Sequence, residues 1–231
     1  MKLKLLMGNQ AYSSWSMRGW MLLRAFEIDF ESEVVPLGTD AFEIYRLENF
    51  PANTVPALQL INGGTPISIW DSLAIAEFLH EQFPEAGIWP EDPMARASAR
   101  SLCAEMHSSF ADLRATMPMN VRRSYRNFTP DPTAQQDIDR IVELWHWAQS
   151  KWGGTKSGWG TSGPYLFGKN FCAADAFFTP VASRFRTYGI RLDSAAQAYV
   201  DALLAHPAAR DFYIAGAKEN WILDECEFDV A

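Results

Sequence analysis

The chain has 231 residues, a length that fits one large domain or two compact ones. Its residues are 48% hydrophobic and 21% charged, the balance of an ordinary globular protein, which excludes disorder as its main state. A formal net charge of −8 argues against nucleic acid or an anionic membrane surface as its principal partner.

The beginning of the chain and its cysteines indicate a cellular compartment. Lys2 and Lys4 leave too few apolar residues before Gly8 for a secretory leader, and no later stretch reaches the ~18 apolar residues that span a bilayer. The three cysteines lack a Cys-x-x-Cys or Cys/His spacing. We therefore expect reduced thiols, no metal site, no membrane partner and a cytoplasmic location.

The first part of the chain alternates strand and helix patterns. Strands are expected over residues 3–7, 31–37, 55–61 and 66–69, the last two joined by the turn Asn62-Gly63-Gly64. Ser13 and its neighbours offer caps for a first helix, and Asp71-Ser72 begins a helix that runs to Phe83. The order β-α-β-(α)-β-β-α is typical of a thioredoxin-like domain.

The rest of the chain is predicted to be helical. A proline-containing linker leads into one long helix, whose apolar stripe runs from Ala99 to Met117. Further helices are expected over residues 133–152, 173–188, 195–205 and 207–219, with a Gly/Ser-rich loop at 153–163.

Three short motifs carry the candidate chemistry. Ser13-Ser14 begins the first helix, Val55-Pro56 enters the third strand, and Asp71-Ser72 begins a later helix. Each has a purely structural explanation, since Ser and Asp cap helices and Pro is tolerated at strand edges.

Each motif also has an explanation as part of a ligand site. A hydroxyl at a helix N-terminus can stabilise a thiolate. A cis Val55–Pro56 bond would turn the backbone of Val55 towards a peptide. Ser72 would hold a carboxylate while Asp71 pairs with an ammonium group.

The order and spacing of these motifs resemble the glutathione S-transferase family. The zeta class is the most similar, because its Ser-Ser-Cys-x-Trp-Arg signature is matched by residues 13–18 with Trp15 and Met17 departing. Residues 69–79 are similar to the third helix of that family. Residues 168–180 are similar to its sixth-helix capping box, with Cys172 replacing Ser or Thr so that Asp175 is expected to reach back alone.

The resemblance implies a fold and a glutathione site. The fold is an α/β thioredoxin-like N-terminal domain over residues 1–83, a linker over 84–94 and an all-α C-terminal domain over 95–231. Ser13, or Ser14 beside it, would stabilise the glutathione thiolate. The resemblance further assigns glutathione contacts to Val55, Pro56, Asp71 and Ser72, and leaves Asn53 and Arg46 as candidates for the glycyl carboxylate.

A second substrate would bind beside glutathione, with candidate contacts from Trp15, Met106, His107, Arg122 and Arg123. His107 shares a helix edge with Arg100 and Arg114, and Arg122, Arg123 and Arg126 cluster in one loop. Solvated surface charge is the alternative for both groups. Arginines that recognise carboxylate or phosphate would instead favour an anionic co-substrate.

The activity implied by the resemblance is attack of the glutathione thiolate on a small electrophile, by a homodimer that needs no metal. A glutathione-dependent cis-trans isomerase of the maleylacetoacetate type is an alternative, although Trp15 in place of the zeta-class cysteine puts thiol-dependent chemistry in question. A non-catalytic module that binds ligands or partner proteins is a third hypothesis.

Overall fold

A computed structural model describes residues 2–125, 127–154 and 162–228. In these ranges the chain forms four strands: β1 (Lys2–Met7), β2 (Glu31–Val34), β3 (Ala57–Ile61) and β4 (Ile67–Ile69). The same ranges contain nine α-helices: α1 (Ser14–Arg24), α2 (Asp40–Glu48), α3 (Ser72–Gln82), α4 (Pro93–Ser108), α5 (Ala111–Thr116), α6 (Pro132–Trp152), α7 (Ala173–Thr187), α8 (Ser194–Ala205) and α9 (Pro207–Lys218). Most of the predicted loop at 153–163 lies outside the described residues.

The strands form one mixed sheet in the order β2-β1-β3-β4. β1 pairs with β2 in parallel and with β3 in antiparallel, and β3 pairs with β4 in antiparallel. Side chains alternate across β1, so Leu5 enters the main core beneath α1 and α3 while Leu6 enters a small cluster with Val35 and Tyr45. The predicted order of strands and helices in this part of the chain is confirmed.

The long helix expected to carry the stripe from Ala99 to Met117 is interrupted. α4 ends at Ser108, Phe110 adopts a left-handed conformation with φ of 63°, and α5 begins at Ala111. The buried stripe nevertheless continues, because Leu113 and Met117 are fully buried after the break. The turn also brings Arg114 back to the end of α4, where its Nη1 lies 3.5 Å from the carbonyl oxygen of Met106.

One hydrophobic core runs through both parts of the chain. It joins the sheet, α1 and α3 to α4, α6, α7 and α8. α7 lies at its centre, and almost every residue of this helix is buried. Polar groups on α7 therefore need partners inside the protein.

Asp175 shows how α7 meets that requirement. Its fully buried carboxylate accepts hydrogen bonds from the backbone N–H groups of Cys172 (2.9 Å) and Leu166 (3.2 Å) and from the Tyr199 hydroxyl (2.8 Å). The sulfur of Cys172 accepts from the Asp175 backbone in return, which corrects the expectation that Asp175 reaches back alone. Burial raises the pKa of Asp175, while these hydrogen bonds oppose that shift.

We predict that Asp175→Ala lowers the free energy of unfolding by about 3 kcal/mol or more, because it leaves two amides and one hydroxyl buried without an acceptor. Chemical denaturation followed by circular dichroism measures the change. Asp131→Ala is the control: Asp131 caps α6 from an exposed position, so water can replace its carboxylate and the loss should be much smaller. Equal losses in the two variants would contradict a special role for Asp175.

Candidate active site

The two serines at the start of α1 have different hydrogen-bond partners. Ser13 is the N-cap residue: its Oγ accepts from the Ser16 backbone N–H at 3.2 Å and lies 2.8 Å from Ser16 Oγ. Ser14 Oγ instead accepts from Nη2 of Arg184 on α7, at 3.1 Å. Both serines are buried. The capping explanation therefore applies to Ser13, and Ser14 joins α1 to α7.

The Val55–Pro56 peptide bond is cis, as the ligand-site explanation required. Pro56 packs directly on α1, because a Cβ added to Gly19 would lie 2.8 Å from the Pro56 Cβ. Glycine at position 19 thus allows α1 to approach this loop closely. The second motif therefore contacts the helix that begins with the first.

The third motif, Asp71-Ser72, is connected to α1 by the side chain of His107. Asp71 caps α3 by accepting from the Leu73 backbone N–H at 2.7 Å, and its second carboxylate oxygen contacts His107 Nε2. The His107 ring packs edge-on against Trp15 of α1, with ring centroids 5.1 Å apart. The buried Ser72 hydroxyl, at the first position of α3, has no hydrogen-bond partner among the described residues.

Three arginines surround this region: Arg18, Arg114 and Arg184, none of which was among the predicted site residues. The Arg18 guanidinium lies 4.2 Å from the Trp15 ring centroid and 5.1 Å from that of Phe177. Arg114 lies 5.7 Å from the same Trp15 ring. Arg18 and Arg184 are buried, and in the part of the chain that the structure describes neither forms a salt bridge.

The pKa values of these guanidinium groups reflect that environment. Burial, followed by the nearby charges of Arg184 and Arg114, lowers the pKa of Arg18 to about 9. Burial and Arg114 lower the pKa of Arg184 to about 10. Arg18 and Arg184 fall on the apolar faces of their helices, and this position in the sequence is a signal of burial. A charged residue at such a position is nevertheless easily assigned to the surface.

Two of the predicted second-substrate residues differ in exposure. Trp15 is half-buried between Arg18 and His107. The side chain of Met106 is fully buried in the core, and only its carbonyl oxygen turns towards Arg18 and Arg114. Met106 is therefore a packing residue, which does not support its predicted place in the second-substrate site.

The predicted arginine loop is tied to the end of the chain. Arg123 donates to Glu227 at 2.6 Å, and Arg122 donates to the carbonyl oxygens of Glu219 and Trp221. Glu227 also accepts from the Tyr12 hydroxyl at 2.6 Å. Because both guanidinium groups already have acceptors, this geometry does not support an anionic co-substrate at Arg122 and Arg123. Arg126 lies outside the described residues.

The two candidates for the glycyl carboxylate lie on the surface. Asn53 is exposed, and Arg46 pairs with Glu43 one turn earlier on α2 at 3.2 Å.

Residues 2–125, 127–154 and 162–228 contain no group of three His, Cys, Asp or Glu side chains arranged to hold a metal ion. No helix within those same ranges is long and apolar enough to cross a membrane.

The chain is similar in sequence and in fold to known proteins. Residues 12–82 match the family described as the glutathione S-transferase N-terminal domain. A maleylacetoacetate isomerase from Pseudomonas aeruginosa is 26% identical over 215 residues, which cover 90% of this chain and 94% of that protein.

Two solved structures show the same fold. A glutathione transferase homologue from Burkholderia gl BGR1, with bound glutathione, superposes with a TM-score of 0.68 at 22% identity and covers 95% of this chain and 100% of its own. A maleylacetoacetate isomerase from Anaeromyxobacter dehalogenans, with glutathione in its active site, gives 0.66 at 20% identity, covering 95% and 97% of the two chains. This chain therefore has a glutathione S-transferase N-terminal domain over residues 12–82 and the glutathione S-transferase fold along nearly all of its length.

Proposed function

We propose that this chain is a glutathione-dependent enzyme that activates the glutathione thiol for attack on a small electrophile. The observation that carries the proposal is the start of α3. Ser72 presents a buried hydroxyl without a partner, and Asp71 beside it presents a carboxylate. This pair complements the carboxylate and ammonium groups of a γ-glutamyl unit.

Activation of the thiol requires a lower pKa rather than a strong base. A free thiol has a pKa near 8.5, and a helix N-terminus, a hydroxyl donor and nearby cations each favour the thiolate. The start of α1 supplies the first two through Ser13 or Ser14, and the buried arginines supply positive charge. The serine acts as a hydrogen-bond donor.

The cysteines of the chain support a mechanism without a disulfide intermediate. Residues 11–17 contain no cysteine. Cys103 and Cys172 are buried, and burial raises the pKa of both thiols well above the ordinary value, which makes them poor nucleophiles.

A glutathione-dependent cis-trans isomerase is the second candidate. The similarity to the isomerase of Pseudomonas aeruginosa over most of both chains favours it. Trp15 at the position of the zeta-class cysteine argues against a mechanism that needs that thiol. A non-catalytic binding module is less compatible with the combination of Asp71, Ser72 and Val55–Pro56 at one site.

We predict that the chain binds glutathione and lowers its thiol pKa. Thiolate absorbance of the bound ligand, recorded against pH, should show a midpoint below that of free glutathione. A conjugation screen and a maleylacetoacetate-type isomerase assay on the same preparation separate the two activities. No binding at millimolar glutathione would refute the proposal, and binding without either activity would favour the non-catalytic module.

We predict that Asp71→Asn weakens glutathione binding by about 1.5–3 kcal/mol, a roughly 10- to 100-fold rise in Kd. Asparagine is as good an N-cap as aspartate, so the variant keeps α3 capped and removes the charge that contacts His107 and would face the ammonium group. Isothermal titration calorimetry measures the affinity. Asp92→Asn, at the cap of α4, is the matched control and should bind normally. Normal glutathione binding by Asp71→Asn would show that Asp71 only caps α3.

The homodimer implied by the family resemblance is also a proposal. Ile44, Phe50 and Ile67 are exposed apolar side chains that line one groove of about 730 Å³ beside the sheet. We predict a solution mass of twice the 26.0 kDa chain by light scattering, and a shift towards the monomer in Phe50→Lys. A monomeric wild-type protein at micromolar concentration would exclude the dimer.

A further inference from the structure

The hydrogen bond between Arg184 and Ser14 determines what the Ser14 hydroxyl can do. A guanidinium group contains only donors, so Ser14 Oγ must be the acceptor in this 3.1 Å contact. Its single proton is then directed at another acceptor. Among the described residues, Ser14 Oγ makes no second hydrogen bond. The Ser14 hydroxyl therefore remains available as a donor.

Ser13 is in a different position. Its Oγ is engaged twice within the first turn of α1, by the Ser16 backbone N–H and by Ser16 Oγ. Ser16 Oγ in turn accepts from the Gly8 backbone N–H at 2.8 Å. A role for Ser13 as thiolate donor would require the two hydroxyl protons to reorient, so that Ser16 Oγ donates to Ser13 Oγ.

Arg184 is held rigidly. Its Nε donates to the Met117 carbonyl oxygen at 2.7 Å, and its Nη1 donates to the Pro180 carbonyl oxygen at 3.4 Å. These two contacts leave Nη2 for Ser14. A buried guanidinium fixed on neutral carbonyl groups keeps its positive charge without a counter-ion, and such burial is costly unless an anion compensates it.

Arg18 adds a second uncompensated charge on the same helix as Ser14. Two of its nitrogens, Nε and Nη1, are buried without any hydrogen-bond partner. The charged and titratable groups that act on the two arginines are Arg114 of α5, Cys103 of α4, Asp71 at the cap of α3, Tyr188 after α7, and Cys226 near the end of the chain. Burial raises the pKa values of Cys103, Tyr188 and Cys226, which keeps these groups neutral at pH 7. The region is left with a positive excess.

We propose that Ser14 is the residue that donates to the glutathione sulfur, and that Arg184 is a positioning residue that fixes the direction of the Ser14 proton while the bound thiolate compensates the buried arginines. This inference rests on the proposed binding of glutathione. It assigns a function in thiol activation to α7, on the helical side of the site, whereas the family resemblance placed that function in the start of α1 alone.

The test compares Arg184→Met, Arg184→Lys and Ser14→Ala with wild type. We expect the thiol pKa of bound glutathione, read from thiolate absorbance, to rise by about one pH unit in Arg184→Met and in Ser14→Ala. Turnover at pH 7 should fall about tenfold and approach the wild-type value above the pKa of the free thiol. The KM for glutathione should change less than about twofold.

Arg184→Lys keeps both a donor and a positive charge, so it should restore part of the pKa shift. Arg186→Met is the matched control, since Arg186 lies on the same helix but is exposed and stacks on Tyr213. It removes the same charge away from Ser14 and should leave the pKa of bound glutathione unchanged. An equal effect of Arg186→Met would show a general charge effect and overturn the positioning role.

The double variant Ser14→Ala/Arg184→Met tests whether Arg184 acts through Ser14. Residues that act as a unit are non-additive, so the pKa shift in the double variant should be smaller than the sum of the two single-variant shifts. Fully additive shifts would overturn the inference. If wild type binds glutathione with a lowered thiol pKa and neither single variant changes it, this inference fails while the proposed function stands. If wild type does not bind glutathione, the proposed function itself fails.

Discussion

The burial of α7 on all sides is the constraint from which much of this structure follows. A helix in that position cannot leave polar groups unpaired. The Thr179 hydroxyl donates to the Asp175 carbonyl oxygen within α7, and other polar groups of the helix are tied to neighbouring elements. Asp175 binds the loop before the helix and Tyr199 of α8. The Ser183 hydroxyl accepts from Tyr213 of α9 at 2.6 Å, and Arg184 reaches α1 through Ser14.

The same constraint connects the core to the candidate active site. α1 follows the inner strand β1 and begins with Ser13 and Ser14, and it then packs along α7 with Arg18 against Phe177. A change in the packing of these two helices would therefore move the start of α1 relative to Pro56 and Asp71. Stability of the helical core and geometry of the candidate active site are coupled through one interface.

Charge distribution gives the site its chemical character. The chain as a whole is acidic, with a formal net charge of −8, yet the region around Trp15 gathers three arginines. Local potential rather than net charge decides which ligand a buried site accepts. Arg122 and Arg123, which are equally basic in sequence, share the carboxylate of Glu227, and Arg122 also donates to the Glu219 carbonyl oxygen.

The sequence by itself determined the order of strands and helices, the caps at Ser13 and Asp71, and the likeness to glutathione S-transferases, because hydrophobic periodicity and capping chemistry are local properties. It also offered a cis Val55–Pro56 bond as one of two explanations for that motif, and the bond is cis. Only the tertiary structure showed that Phe110 breaks the predicted long helix, that Met106 is buried, and that Arg122 and Arg123 have partners in the last residues of the chain. The contact between Ser14 and Arg184, 170 residues apart, likewise depends on how α1 packs on α7, and no local pattern in the sequence encodes that distance.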